Sequence, residues 1–330
     1  MSDTFTERQS VSEHVLKIEK IELTINPNKQ TVSVEKKILF VVNKYAGIGY
    51  PSDLERSIKT ACERNSASCA IEFTQRKGHA IELAKEAHGQ GFDEVIAVGG
   101  DGTINEVARG LMQSGTPMGI VPRGSGNGLA RHLGIPLKIS DAINQIFDSK
   151  ILPMDVFRVN GKLSLNVSGI GFDGHITNLF GVKSTRGLFG YVMLTVQEFL
   201  KFKEFETEII MNGKAIKRDA FIIAIANSSQ YGNNARIAPS ASVCDGLLHV
   251  NIVKRVPLFR LDFLYSFFTG QLATSSFCEF MEAPSLKIRT KKPMDYHVDG
   301  EPCGLHDTFD VELVPAALHV LVPAKKGREV

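Results

Sequence analysis

Two kinds of apolar run alternate along the first half of the chain. Lys37-Ile38-Leu39-Phe40-Val41-Val42-Asn43, Ala70-Ile71-Glu72-Phe73-Thr74, Glu94-Val95-Ile96-Ala97-Val98 and Met118-Gly119-Ile120-Val121-Pro122 are short and rich in β-branched residues, the pattern of buried strands. Between them the apolar positions recur at helical spacing. Leu54, Ile58 and Ala61 follow Pro51-Ser52 and Glu55, Gly78-His79-Ala80 opens a helix from Ile81 to Ala87, and Val107 and Leu111 mark a third. This alternation over residues 37–150 predicts an α/β N-terminal domain: a parallel sheet with helices on both faces and right-handed crossovers.

From about Ile151 the texture changes. Runs such as Val156–Val159, Leu163–Val167, Glu208–Met211, Ala220–Ala226, Leu247–Val253, Ser285–Arg289 and Phe309–Leu313 are separated by turns, among them Asn160-Gly161 and Asn212-Gly213. Such dipeptides favour tight hairpins, so residues 151–315 are expected to form a mostly antiparallel second domain. Residues 316–330 form a tail whose Ala317–Pro323 run is expected to return to the first domain. Residues 1–36 are polar and are expected to be an N-terminal extension.

Two glycine loops carry the candidate chemistry. The run Glu94–Val98 stops at Gly99-Gly100-Asp101-Gly102-Thr103-Ile104-Asn105-Glu106, where three glycines in four positions permit close approach of backbone to a ligand. Thr103 and Glu106 have the spacing of a capping box, which places a helix N-terminus, with its free N–H groups, beside the glycines. A second unit repeats the pattern: Met118–Pro122 runs into Arg123-Gly124-Ser125-Gly126-Asn127-Gly128 and then Leu129-Ala130-Arg131-His132. Neighbouring parallel strands bring both loops to one sheet edge, where open α/β folds bind ligands. Neither GxxxxGK[ST] nor a GxGxxG fingerprint at the first loop is present.

Composition adds limits. A chain of 330 residues with 43% hydrophobic residues suits two globular domains, and a net charge of +2 gives no nucleic-acid signal. The five cysteines are scattered without CxxC pairs, which points to free thiols in a reducing compartment and to no zinc site. No signal peptide and no run of eighteen apolar residues is evident, so the expected location is cytoplasmic.

With these motifs in place, GGDGTINEVARGL (99–111) and PRGSGNGLARHLGIP (122–136) resemble the two nucleotide-loop motifs of the diacylglycerol kinase and sphingosine kinase catalytic-domain family. Further matches follow in order. Asn43 and Gly47 match the family's NPxSGxG loop, with Lys44 and Ala46 in place of the usual Pro and Ser. Thr74 with Gly78-His79-Ala80 resembles TxxxGHA, which makes Thr74 a nucleotide contact. Asp155 resembles an acid on the substrate side, and Gly169–Gly174 resembles the GxGFDA turn that carries Asp173. Tyr231-Gly232 and Ile237-Ala238-Pro239 match YGGGxxIAP, with Asn233 and Asn234 where glycines are usual. Asp245-Gly246-Leu247-Leu248 resembles a DGxL turn at which bacterial members hold a structural magnesium, implying Asp245 with carbonyls near Ser242 and Leu247 as ligands. Asp299-Gly300-Glu301 resembles the catalytic DGE element.

The resemblance implies an NAD-kinase-like first domain, a β-sandwich lipid-substrate domain, and ATP- and Mg2+-dependent phosphorylation of a lipid hydroxyl. Phosphoryl transfer needs phosphates held in line, their charge neutralised and the acceptor hydroxyl oriented. Gly99, Gly100, Gly102, Thr103, Asn105 and Glu106, with Gly124, Ser125, Gly126 and Asn127, are the implied nucleotide contacts. Asp101 would hold magnesium with the nucleotide, Arg123 or Arg131 would balance phosphate charge, and Asp299 or Glu301 would take the hydroxyl proton. Gly128 stands where diacylglycerol-type members commonly have Asp, which tilts the acceptor toward a long-chain base. The apolar segments Leu188–Leu200 and Leu258–Phe268 are expected to line a lipid groove and to touch a membrane surface transiently, making the protein peripheral to the membrane. A homodimer is left open. Two other readings compete: a nucleotide kinase related to NAD kinases, which share GGDGT, and an inactive lipid- or nucleotide-binding regulator.

Overall fold

The structure is a computed structural model that describes residues 35–47, 49–182 and 188–324, with the side chains of residues 181, 182 and 188–194 left aside. The expected extension, apart from its last two residues, and the end of the C-terminal tail lie outside the described residues.

The first lobe is built from β1 (Lys36–Val42), α1 (Leu54–Arg64), β2 (Ala67–Phe73), α2 (His79–Ala87), β3 (Glu94–Gly99), α3 (Asp101–Leu111), β4 (Met118–Pro122), α4 (Gly128–His132) and α5 (Ile139–Ile146). The strands pair in parallel in the order β4-β3-β1-β2. All six residues of β3 are buried, which is why it reads as an unbroken apolar run. On α3 the buried residues Ile104, Val107, Ala108 and Leu111 form one stripe, and α3 packs against α2 while α1 packs against α5. The chain leaves β1 toward β2 on one side and returns to β3 on the other. The crevice outside the carboxyl ends of β1 and β3 is therefore the topological switch point.

The second lobe comprises β5 (Ser149–Val159), β6 (Lys162–Ser164), β7 (Val167–Gly171), α6 (Phe172–Val182), α7 (Leu188–Lys201), β8 (Phe205–Met211), β9 (Lys214–Ala220), β10 (Ile222–Ala226), β11 (Leu248–Val253), α8 (Leu261–Thr269), β12 (Cys278–Ala283), β13 (Ser285–Val298) and β14 (Glu301–Pro323). Its pairings are antiparallel. Three two-residue hairpin loops, Asn160-Gly161, Asn212-Gly213 and Asp299-Gly300, have positive φ at both positions, matching the right-handed twist of the strands they join. A separate core under these strands includes Phe157, Ile209, Ile288, Tyr296 and Phe309. Each such fully buried side chain stabilises by about 1.5–3 kcal/mol relative to exposure.

The lobes share β14. Its first part pairs with β13 and β5, while Val320 pairs in parallel with Met118 of β4. The crossing is a bulge between Val314 and Leu318, with Ala316 at φ 46°. Asp155 secures it: Oδ1 accepts the Ala316 N–H at 2.7 Å and Oδ2 accepts the Gly246 N–H at 2.8 Å.

A second joint is His132 on α4, whose Nδ1 accepts the Ser229 N–H at 3.1 Å. Its Nε2 is enclosed without a hydrogen-bond partner, and burial lowers the imidazole to about 4 from an ordinary 6.5, with His249 and Arg236 adding to the effect. The stability it contributes is full above pH 6.5 and is lost as pH falls toward 4, because the unfolded imidazole binds its proton more tightly. The ring keeps some contact with solvent, so we take the effect as roughly 2 kcal/mol. His132→Asn retains an acceptor and removes the titration. Urea unfolding at pH 7 and pH 4.5 is expected to show a smaller acid loss for this variant, and an equal loss would refute the assignment.

Candidate active site

The two glycine loops touch backbone to backbone across the carboxyl ends of β3 and β4. A Cβ on Gly124 would lie 2.8 Å from the Gly100 Cα, so neither loop tolerates a side chain at the contact. The second loop is closed by Asn127, at φ 50°, whose amide accepts the Gly124 N–H and donates to the Gly124 carbonyl, both at 2.8 Å. Gly99, Gly100 and Gly102 stand in the first loop with Asp101, and Ser125 is exposed at the tip of the second beside Gly126. Asn43 closes the switch-point crevice by donating from Nδ2 to Thr103 Oγ1 at 3.0 Å. Gly47 packs against the Arg123 carbonyl, and Thr74 donates its backbone N–H to Val42 at the end of β1. The expected nucleotide contacts thus converge on one sheet edge.

Several side chains do different work from that expected. Thr103 does not cap α3; Gly100 holds the N-cap position in extended conformation, and the threonine hydroxyl is taken by Asn43. Glu106 does not reach back either. It accepts the Gly78 and Ala80 N–H groups at 2.8 and 3.3 Å, capping α2 instead. Arg123 is buried and donates to the carbonyls of Asn43 and Gly49 at 2.9 and 2.8 Å, so it braces the loop between β1 and α1 and is not free to balance phosphate. Arg131 is similarly committed to the Gly126 carbonyl. His79 Nδ1 accepts the Gln75 N–H at the start of α2, a structural use.

Asp101 and Asp299 form the buried acidic centre. Asp101 Oδ2 and Oδ1 each accept a backbone N–H at 3.0 Å, from Asn127 and Gly128. Burial raises its carboxyl above the usual range, the Asp299 charge raises it further, and the two N–H donors oppose the rise. Asp299 sits in the hairpin loop with its side chain turned inward. Oδ1 accepts Ser164 Oγ at 2.6 Å and the Asn166 N–H at 3.0 Å, while Oδ2 accepts the Leu165 N–H at 2.8 Å and Asn105 Nδ2 at 3.0 Å. Burial raises this carboxyl too, against those four donors. The same bonds explain why Leu163–Val167 is not the single strand expected: the Leu165 and Asn166 amides point at Asp299 and break β6 from β7. Glu301, two residues on, is exposed, and its Oε1 pairs with Lys77 of the other lobe at 2.9 Å.

Beside this centre opens a groove of about 790 Å³. Its head is lined by Asp101, Asp299, Asp173, His297 and Tyr231, and its length by apolar side chains that include Phe172, Ile176, Phe199, Phe221, Phe263 and Phe267. Asp173 Oδ2 accepts the Tyr231 hydroxyl at 2.8 Å and lies 3.3 Å from His297 Nε2. His297 Nδ1 accepts the Gly300 N–H, which leaves the ring proton on Nε2 and directed at Asp173. Sequence reasoning missed His297 and Tyr231 as groove residues, although Tyr231 opens a quoted motif and His297 stands just before another. The GxGFDA segment is the end of β7 and the start of α6, with Gly171 at φ 102° making the turn, and α6 itself was not expected.

Asp155 is the clearest departure from the expected site. It does not line the groove; one of its oxygens is spent on the β14 crossing at Ala316 and the other on the Gly246 N–H in the turn before β11. The proposed structural magnesium site also fits poorly. Asp245 Oδ1 accepts the Leu247 N–H at 3.0 Å and Oδ2 lies 2.9 Å from His249 Nε2, which itself lies 3.4 Å from the Ser242 N. One exposed carboxylate, already bonded at both oxygens, is a weak side-chain donor for a hard cation. Among the described residues no three His, Cys, Asp or Glu side chains are grouped for a metal. No step is derived through that site.

Paired glycine loops at a parallel sheet edge, faced by an antiparallel lobe with an apolar groove, define a two-lobed kinase fold. Residues 37–159 match the model of the diacylglycerol kinase catalytic domain, and residues 167–322 match that of the YegS C-terminal NAD kinase beta sandwich-like domain. A Klebsiella pneumoniae protein named "Probable lipid kinase YegS-like" is 32% identical over 258 residues, covering 77% of this chain and 86% of the relative. A Bacillus subtilis diacylglycerol kinase is 26% identical over 313 residues, covering 92% and 96%. A solved Bacillus anthracis diacylglycerol kinase shares the fold, with a TM-score of 0.67 at 22% identity over 87% of this chain and 97% of its own. The chain belongs to the YegS-like and diacylglycerol kinase family of lipid kinases.

Proposed function

We propose that this protein transfers the γ-phosphate of MgATP to the hydroxyl of a membrane lipid, a diacylglycerol or a sphingoid base. The observation that carries the reading is an apolar groove that ends on buried carboxylates beside two nucleotide-type loops. Backbone N–H groups of the glycine loops would hold the phosphates, and Asp101 would face the magnesium that arrives with ATP. The lipid hydroxyl enters at the groove head. Its proton passes to a carboxylate as its oxygen bonds to phosphorus, and ADP leaves. Asp299 has all four acceptor positions filled, so the proton acceptor we assign is Glu301, which is exposed just outside the groove lining on the same hairpin, with Asp299 holding that hairpin in place.

Gly128 does not favour either acceptor. A Cβ there would lie 2.6 Å from the Tyr231 carbonyl oxygen and 2.5 Å from Asn166 Nδ2, so the glycine answers a packing need against two residues that line the groove. Nor do the departures at Asn233 and Asn234 point to a lost activity. Both adopt φ of 49° and 64°, the left-handed region that Asn enters more readily than other residues with a side chain.

Labelled γ-phosphate from ATP is expected to appear, in a magnesium-dependent manner, in one lipid band from mixed micelles of sphingoid bases, diacylglycerol and monoacylglycerol. Label in NAD alone would overturn the lipid reading in favour of a nucleotide kinase. Nucleotide binding without label in any acceptor would favour the regulator.

A further inference from the structure

The groove opens onto a surface that the fold leaves uncovered. α8 is an apolar helix with no buried residue. Its inner edge, Phe263 and Phe267 one turn apart, packs on the core beneath β10 and lines the groove. Its outer side and the turn before it present Phe259, Leu261, Tyr265 and Phe268, at 79%, 69%, 63% and 52% exposure. Opposite, the end of α7 contributes the groove residues Val196 and Phe199, with Leu200 exposed beside them. The two walls are tied together, since Arg255 Nη2 donates to the carbonyls of Phe199 and Leu200 at 3.0 and 3.2 Å. An apolar surface is thus continuous with the rim of an apolar groove.

Its charge leans basic, with Lys201 and Arg260 ion-paired to Glu198 and Asp262. Residues 195–204 and 254–269 carry five basic side chains (Lys201, Lys203, Lys254, Arg255, Arg260) against three acidic ones (Glu198, Glu204, Asp262). Among the described residues no helix is long and apolar enough to cross a membrane. Large exposed apolar side chains with a basic surround are the features of a helix that lies in the lipid interface.

We propose that α8 and the Leu258–Arg260 turn are the docking surface of this protein on an anionic phospholipid bilayer, with Phe259, Leu261, Tyr265 and Phe268 inserted at the headgroup boundary. Docking this face sets the groove mouth against the membrane. An acyl chain then passes from bilayer to groove without its apolar surface crossing water, and the hydroxyl reaches the carboxylates at the groove head. This rests on the reading of the groove as a lipid site, but the docking itself can be measured without turnover.

The chain contains no tryptophan, so one introduced indole reports its own surroundings. Phe259→Trp is expected to shift its emission to shorter wavelength and to be quenched by brominated lipid when vesicles of phosphatidylcholine and phosphatidylglycerol are added. Leu305→Trp, an exposed position on the β14 hairpin, is expected not to respond. Leu261→Glu with Phe268→Glu alters side chains that do not line the groove. This double variant is expected to lose vesicle flotation and vesicle-borne turnover by about tenfold or more, with an unchanged rate on a dispersed short-chain acceptor. An unshifted emission from the Phe259→Trp variant, or an equal response from the Leu305→Trp variant, would overturn the proposal. So would concentration-dependent dimers of the parent chain that the double variant abolishes without any vesicle binding, which would assign the face to a second copy. Vesicle binding without phosphorylation of any lipid would leave docking standing and defeat the kinase reading.

Discussion

Glu301→Gln is expected to lower kcat by about 10²–10⁴-fold while melting temperature and ATP affinity stay unchanged, whereas Asp299→Ala is expected to lose turnover together with stability. The two carboxylates are two residues apart and physically unlike. Glu301 is exposed and, among the described residues, its side chain is anchored by the ion pair Lys77 makes with its Oε1, an exposed pairing of little structural worth. Gln keeps its shape and removes its capacity to accept a proton. Asp299 is enclosed and satisfies the Leu165 and Asn166 amides, the Ser164 hydroxyl and Asn105 Nδ2. Ala would leave those buried donors without a partner, at about 1–3 kcal/mol each before relaxation and on the order of 4 kcal/mol after it. Since Asn105 comes from α3 and the others from the β6–β7 break, the lobes would also lose register. Thermal melting with nucleotide titration separates the two variants. Equal stability for both, or full activity in Glu301→Gln, would refute this division of roles.

Gly128→Ala is the second large effect. The added methyl would meet the Tyr231 carbonyl oxygen at 2.6 Å and its carbon at 3.0 Å, and the obstacle is backbone that cannot swing aside. The loop is also held by the Asn127–Gly232 bridge, so the segment around Tyr231 must retreat as a unit. Overpacking of this kind costs about 1–3 kcal/mol. The functional loss is expected to exceed the loss of stability, because Tyr231 holds Asp173 at the groove head and Gly128 N–H holds Asp101. A weakened ATP affinity and a turnover reduced by about tenfold or more are the expected readings, since the displaced groups include Asp101 on the nucleotide side and Asp173 at the groove head. Unchanged turnover would show that the contact is slack.

Where an element depends on near neighbours, sequence was a sufficient guide. The Asn160-Gly161 and Asn212-Gly213 turns follow from residues that tolerate positive φ, and the glycine loops follow from the close approach of Gly100 and Gly124. Distant partners decided the rest. Thr103 and Glu106 have the spacing of a cap, yet Asn43 claims one and the start of α2 the other, and local spacing cannot weigh such competitors. Arg123 lies in a nucleotide-loop motif, but its guanidinium is consumed by two carbonyls more than seventy residues away in sequence. Asp155 reads as a substrate-side group because it is an acid in a matching position. It faces a strand crossing formed with Ala316, which no pattern near Asp155 announces.

The sequence by itself determined the order of strand and helix, the two glycine loops, the change to antiparallel pairing after residue 151 and the family, because periodicity, turn chemistry and motif order are local properties of the chain. Only the tertiary structure decided which acid is buried and saturated and which is exposed. It also brought Tyr231 and His297 to Asp173 and left the outer side of α8 uncovered beside the groove. Those outcomes depend on which groups meet across the lobes, where burial and competition for hydrogen bonds are settled by packing rather than by spacing along the chain.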